Sequence, residues 1–439
     1  MNKLPPREKP IVWRLFLYSL TVATSYIIAR TVGDSLFLSR VGNEQLAFVF
    51  VVAGCTTSIV AGCWFWLTRK ISIARMIQLS GLVFAALSLS AWSLLPVFHH
   101  SFWLMAGIYL LAEIRGCVNA INVVSALNSK LGREASKTSW SFVGLAAPIA
   151  ALLMGSLLAY ESAEISLRTW LLVGCLLDFA SFVVGCSLER SKGLKKVSES
   201  ALPLRIDEKP TSRKKYVCSD QFRFWIAILI SAKVIVLTFI SFEWKTNVNN
   251  FFEGDPERLV QFFGFYYGIV GLATVASQYM LTNRLLAQRN LKLPILLMPI
   301  ALLLFGLSLT IGVGLLAGLV IATMGKSLEV WRRSVHDTTL NTLYTKIHRH
   351  QRRSAIAFNN ALVKPLSEVS AASLIFLGAA TIYRPMMLIV IVVWIVAGVR
   401  LIRLVVPKKT VNFMVKCDEA RQTELREKPK LVSGNPLRV

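Results

Sequence analysis

The sequence is poor in charge. Asp, Glu, Lys and Arg make up 17% of its 439 residues, where a soluble domain carries roughly a quarter. Hydrophobic residues fill 54%, and the mean hydropathy is +0.56. Disorder, which requires low hydrophobicity, is excluded. Cysteine is sparse: there are seven, at 55, 63, 117, 175, 186, 218 and 417, with no C-x-x-C spacing. A disulfide scaffold is excluded, and those in apolar stretches read as small packing residues. Histidine numbers five, and His99-His100 and His348-Arg349-His350 are the only close groups, so no metal site is expected. No Ser/His/Asp arrangement can be assembled, and Asp178 has no evident partner. The stretch GLVIATMGKS (318–327) separates its glycines by six residues where a phosphate loop needs four. It also lies in an apolar run with no strand before it. An ATPase, a hydrolase and a metalloenzyme thus have no basis here. The protein is read as a non-enzyme without a cofactor.

What the sequence does have is long apolar runs. A helix needs about 20 apolar residues to cross a bilayer. Twelve runs qualify, near 11–31, 46–67, 76–97, 102–127, 139–160, 168–187, 223–243, 259–281, 291–309, 311–331, 355–378 and 385–405. The first is long enough to remain as an anchor, and no small-residue cleavage site follows it. Basic residues outnumber acidic ones by 49 to 24, giving a net charge of +25. With the N-terminus inside, roughly 39 of the 49 fall in cytoplasmic segments. The outer loops hold only Arg40, Arg168, Lys245, Arg258 and Arg384. The charge is therefore mainly a topology signal with an anionic lipid surface as its partner, and nucleic acid is not expected. Both termini are expected in the cytoplasm of a multi-pass protein, with a bacterial inner membrane as its setting.

The two halves resemble each other. GDSLFLSRVGNEQLAFVFVVAG after span one matches TNVNNFFEGDPERLVQFFGFYYG after span seven. LTRKISIAR after span two matches LTNRLLAQR after span eight. Asn128 leads through a basic loop to Pro148, as Asn341 leads to Pro365. Three matches in one order indicate a duplicated six-helix unit. The expected architecture is all-α: twelve transmembrane helices in two parallel six-helix repeats, in a major-facilitator-like layout. Its parts would be an N-terminal bundle (1–187), a basic linker (188–222), a C-terminal bundle (223–405) and a tail (406–439). The glycine-and-aspartate loop signature of that layout is absent after span two, where only Arg69, Lys70 and Arg75 remain.

Ionisable groups inside a bilayer cost about 2.5–3.5 kcal/mol each on insertion scales, so they mark cavities or partners. Span four carries Glu113, Arg115, Asn119 and Asn122; the last three share a face, and Glu113 points roughly opposite Arg115. Span seven carries Lys233, with Glu243 and Lys245 at its outer end. Lys326 and Glu329 in span ten are three apart and able to pair. Asn360, Lys364 and Glu368 share a face of span eleven, and Arg30 and Asp34 close span one. Arg30, Asp34, Glu243 and Lys245 lie near enough to span ends to snorkel.

Several of these stretches resemble the ATP/ADP translocases, nucleotide transporters of plastids and intracellular bacteria. LAEIRG with Asn128, Glu134 and Ala135 resembles the family's AE-x-x-G … AN … EA stretch. RTVGDSLFL (30–38), FEWKTNV (242–248) and GKSLEVWRRSVHDTTLNTLY (325–344) resemble its first, seventh and tenth helices. Gly33 and Leu340 stand where the family carries lysines, and Ser241 where it carries an acid. The resemblance implies a secondary transporter of facilitator fold and leaves the cargo open.

The expected function is transport of a small organic anion by alternating access, as exchanger or ion-coupled symporter. Nucleotides and other phosphorylated metabolites fall in that class. The partners are the anion, a proton or counter-substrate, and the bilayer. Arg30, Glu113, Arg115, Asn119, Lys233, Lys326 and Glu329 are the expected cavity residues. Arg115, Lys233 and Lys326 would attract the anion, while Glu113 and Glu329 would balance charge or carry a proton. Two other readings are a transport-inactive scaffold or sensor, with every buried charge paired and no cavity, and a lipid-handling protein, with an apolar cavity open to the bilayer.

Overall fold

The computed structural model describes residues 9–405 apart from 69, 131–138, 140–141, 163, 191–219, 283–291, 311–313, 345–346, 348–354, 356–357 and 379. Most of the 188–222 linker, the 406–439 tail and the His348–His350 group lie outside the described residues.

Twelve helices follow one another among the described residues. They are α1 (Lys9–Arg40), α2 (Leu46–Leu67), α3 (Ile73–Leu94), α4 (Phe102–Lys130), α5 (Ala146–Glu161), α6 (Leu167–Arg190), α7 (Asp220–Phe251), α8 (Pro256–Ser277), α9 (Lys292–Thr310), α10 (from Leu315), α11 (to Leu377) and α12 (Ala380–Val405). Nine are long and apolar enough to cross a membrane among the described residues. Helix α10 is compound: Leu315–Ser327 leads through Glu329–Trp331 and a π turn at Arg332–His336 to Asp337–Tyr344. Helix α11 opens with a π turn, Asn359–Val363, before Lys364–Leu377. An even number of crossings puts the start of α1 and the end of α12 on one side, called here the termini side.

Two boundaries depart from expectation. Helix α1 runs to Arg40 and α7 to Phe251, each about two turns beyond the apolar run. Asp34 and Lys245 of these extra turns are buried against one another, so they need not meet lipid or water. The turns that follow are alike in the two halves. Gly42 (φ 84°) donates to the Phe37 and Leu38 carbonyls, and Gly254 (φ 74°) donates to the Asn249 carbonyl. Only a residue without Cβ adopts that left-handed backbone without strain.

Packing between the halves is closest along α5 with α8 and α2 with α11. A Cβ on Gly271 would lie 2.6 Å from the Leu152 nitrogen and 2.7 Å from the Pro148 carbonyl oxygen. One on Gly264 would lie 2.8 Å from the Ala159 nitrogen, so the two backbones touch over several turns. Small residues permit such approach in membranes, where apolar burial gives no drive for helices to associate. On the other flank Gly54 of α2 faces Val369 of α11, and the Phe48 and Phe376 rings lie 6.2 Å apart.

Candidate functional site

Between the halves lies a charged cavity of about 420 Å³, lined by α1, α2, α4, α5, α7, α8, α10 and α11. Its basic lining is Arg30, Lys326, Arg332, Arg333 and Lys364; its acids are Glu113, Glu329 and Glu368. Tyr26, Tyr109 and Tyr267 supply aromatic walls. A second chamber of about 720 Å³ shares Glu113, Arg332, Arg333, Lys364 and Glu368 with the first. It reaches Ser19, Thr57, Ser58, Ala61, Val123 and Gly144, all toward the termini. The hollow therefore extends to the termini side.

The far side is sealed by an ionic chain. The Lys245 ammonium of α7 donates to the Asp34 carboxylate of α1 at 2.8 Å and to the Tyr109 hydroxyl at 2.9 Å. Both charged side chains are 1% exposed. Arg30 forms an ion pair with the other Asp34 oxygen at 3.1 Å and also pairs with Glu113. The charges alternate in sign from the seal to the cavity wall, so none of the four is uncompensated. Farther out, Asn43 donates to Asn250 at 2.7 Å. Hydropathy alone puts Lys245 in an outer loop. The correction has a physical cause: Asp34 neutralises it inside the extended α7, and Tyr109 covers it with a ring centroid 4.5 Å away. Likewise Glu243 is not at the interface but buried, accepting from Arg384 at 2.7 Å and from the Tyr383 hydroxyl.

On the opposite wall Glu329 gathers three cations. Lys326 approaches at 3.0 Å, Arg333 at 3.1 Å and Arg332 at 3.6 Å. Lys326 also donates to Ser241 of α7 at 2.8 Å. Sequence reading misses Arg332 and Arg333, because the apolar run ends at Trp331. The helix continues past them through its π turn, a feature frequent at functional sites. Their spacing of three and four from Glu329 is the signal for it.

The expected site residues fall into two groups. Arg30, Glu113, Lys326 and Glu329 line the central cavity, and Asn119 lines the second chamber. Arg115 and Lys233 are placed elsewhere. Arg115 is 1% exposed in the core of the first half, donating to Asp178 at 2.7 Å and to Ser88 at 2.6 Å. Ser25 donates to the other Asp178 oxygen at 2.6 Å. Asp178 thus finds its partner from span four, which no spacing in the sequence reveals. Lys233 lies between α7 and α10, donating to Asp337 at 2.8 Å. Lys364 and Glu368 belong to the cavity instead.

Breaking a buried pair from one side costs about 3–5 kcal/mol, and replacing both partners by apolar groups costs far less. Arg115→Met is expected to lower the melting temperature sharply. Arg115→Met with Asp178→Leu is expected to recover most of it, as differential scanning fluorimetry would read.

Neither a family model nor a curated relative matches the sequence. Solved structures do match in fold. The inward-open xylose transporter XylE from E. coli superposes with a TM-score of 0.61 at 13% identity, over 90% of this chain and 96% of that one. The nucleoside transporter NupG gives 0.56 at 13% identity, over 91% and 100%. The peptide transporter POT in complex with sulfate gives 0.62 at 14% identity, over 90% and 94%. Taken with the twelve helices and the cavity between their halves, these likenesses show the chain to be an all-α integral membrane protein of major-facilitator-like fold.

Proposed function

We propose that the protein is a secondary transporter that moves a small organic anion by alternating access, as an exchanger or an ion-coupled symporter. The observation that carries this reading is the cavity lining, with five basic against three acidic side chains drawn from both halves. Two positive charges remain for an anion to balance, in a site where the low dielectric strengthens each interaction. Nucleotides and phosphorylated metabolites are within the class. The conformation is sealed at Lys245–Asp34 and hollow toward the termini, one of the two states that rocking of matched bundles requires. The basic bias of the loops supports cytoplasmic termini in an inner membrane, with bundles 1–187 and 223–405 moving about the 188–222 linker. XylE, NupG and POT carry xylose, nucleosides and peptides by name, so the fold leaves the cargo open.

The cavity speaks against a scaffold with a solid core, and its charged lining against a lipid path. Reconstituted proteoliposomes test the reading. After a thermal-shift screen of nucleotides, sugar phosphates and amino acids, the stabilising compound is offered as a radiolabelled substrate. Lys326→Gln is expected to reduce uptake at least about tenfold, the cost of one charge-assisted contact. Uptake by Lys326→Gln equal to wild type, or no stabilisation by any anion, would overturn the assignment.

A further inference from the structure

Six of the charged side chains in the cavity are already engaged: Arg30 with Glu113, and Lys326, Arg332 and Arg333 with Glu329. Lys364 and Glu368 are the exceptions. Among the described residues, neither has an ion-pair or hydrogen-bond partner. They stand at i and i+4 on α11, about 5–6 Å apart at Cβ, close enough to pair with each other, yet they do not. Lys N-terminal to Glu is the weaker order for such a helix pair. Lys364 is exposed to both chambers, and Glu368 is half-buried where α11 meets Gly54 of α2.

A free cation and a free anion one turn apart fit a ligand that brings both signs. We propose that Lys364 holds the anionic group of the cargo while Glu368 holds a positive charge that crosses with it. That charge has two sources, a cationic group on the cargo itself or a proton. The inference rests on the anion-transport reading and refines it: the translocated load is a matched pair of charges. The surroundings agree. Helix α4 presents Glu113 and Cys117 toward this region, and α1 presents Tyr26 and Arg30. Helix α10 presents its Glu329 cluster and Asp337, and α7 presents Lys233, which Asp337 holds, with Thr238 and Ser241. Helix α2 offers Thr57 and Ser58, and α8 offers Tyr267 and Thr274. Arg30 is committed to Asp34 and Glu113, so the one uncommitted cation beside Glu368 among the described residues is Lys364, which does not pair with it. Desolvating a carboxylate without a partner is costly, and an incoming positive charge relieves that cost.

The test is calorimetric titration of the purified full chain with matched probes, taurine against ethanesulfonate and β-alanine against propionate. Ethanesulfonate stays fully ionised from mildly acidic to mildly alkaline pH, so its pH dependence reports the protein. If the cargo supplies the positive charge, wild type binds taurine about tenfold or more tighter than ethanesulfonate. If a proton supplies it, ethanesulfonate binding tightens as pH falls. Glu368→Gln is expected to remove whichever preference wild type shows, without weakening ethanesulfonate. Glu368→Asp, which keeps the charge, is expected to retain it. Lys364→Gln is expected to weaken every probe. A Glu368→Gln protein with the wild-type preference and pH dependence would overturn the inference and leave anion transport standing. Wild-type protein that binds none of the probes, and no anion of the thermal-shift screen, would overturn both.

Discussion

Lys245→Met is expected to open the far side of the protein. Its ammonium is the ionic link between the halves there, held by Asp34 and Tyr109 with both charged side chains 1% exposed. Removing one partner of such a pair costs about 3–5 kcal/mol, felt only in the sealed conformation. At about 1.4 kcal/mol per factor of ten, the balance between conformations shifts by about 100-fold or more toward the open form. Spin labels at positions 43 and 250, which face each other across the seal, would report the change by pulsed dipolar spectroscopy. A distance distribution that lengthens in Lys245→Met is the expected result; one unchanged from wild type would remove the seal from the mechanism. The double variant Asp34→Asn with Lys245→Met is expected to shift the balance less than the single one. The single one leaves the buried Asp34 carboxylate with Arg30 as its one remaining cation among the described residues, and Arg30 is shared with Glu113. Either change is expected to slow transport, since alternating access requires both states at comparable energy.

Glu329→Gln is expected to have the next largest effect, of a different kind. Its carboxylate restrains Lys326, Arg332 and Arg333. Without it three cations face the cavity, and the other carboxylate of their helix, Asp337, is held by Lys233. An anionic substrate then becomes their counter-ion. Binding is expected to tighten and release to slow, so KM and maximal uptake rate both fall, each by about tenfold. A purely structural role predicts a lower rate with KM unchanged. Uptake measured against substrate concentration in proteoliposomes separates the two. A rise in KM would show that Glu329 itself helps to bind the cargo.

Much of this arrangement is legible in the sequence. Apolar runs of bilayer length locate all twelve helices, because a backbone in hydrocarbon has few alternatives to helix. Sign and position single out Arg30, Glu113, Lys326 and Glu329, which the structure gathers around one hollow. The misplacements have a common cause. Lys245, Arg332 and Arg333 lie beyond the apolar runs, and hydropathy assigns such residues to water. In the structure these cations are paired, Lys245 with Asp34 of the other half and Arg332 and Arg333 with Glu329 of the same helix. Arg115 and Lys233 are mid-span cations like Lys326, and nothing local distinguishes them. Asp178 and Asp337 decide their roles, and these lie 63 and 104 residues away.

The sequence by itself determined the number of helices and the residues that must find partners in the membrane. These follow from backbone hydrogen bonding and the cost of burying charge, which act on every segment separately. Only the tertiary structure decided which ions neutralise one another, and therefore which remain to meet a ligand. Helical phase sets the face a side chain occupies, but the angle and closeness of neighbouring helices set what stands opposite. Among the described residues Lys364 and Glu368 are left free by that packing, and Arg115 is silenced by it.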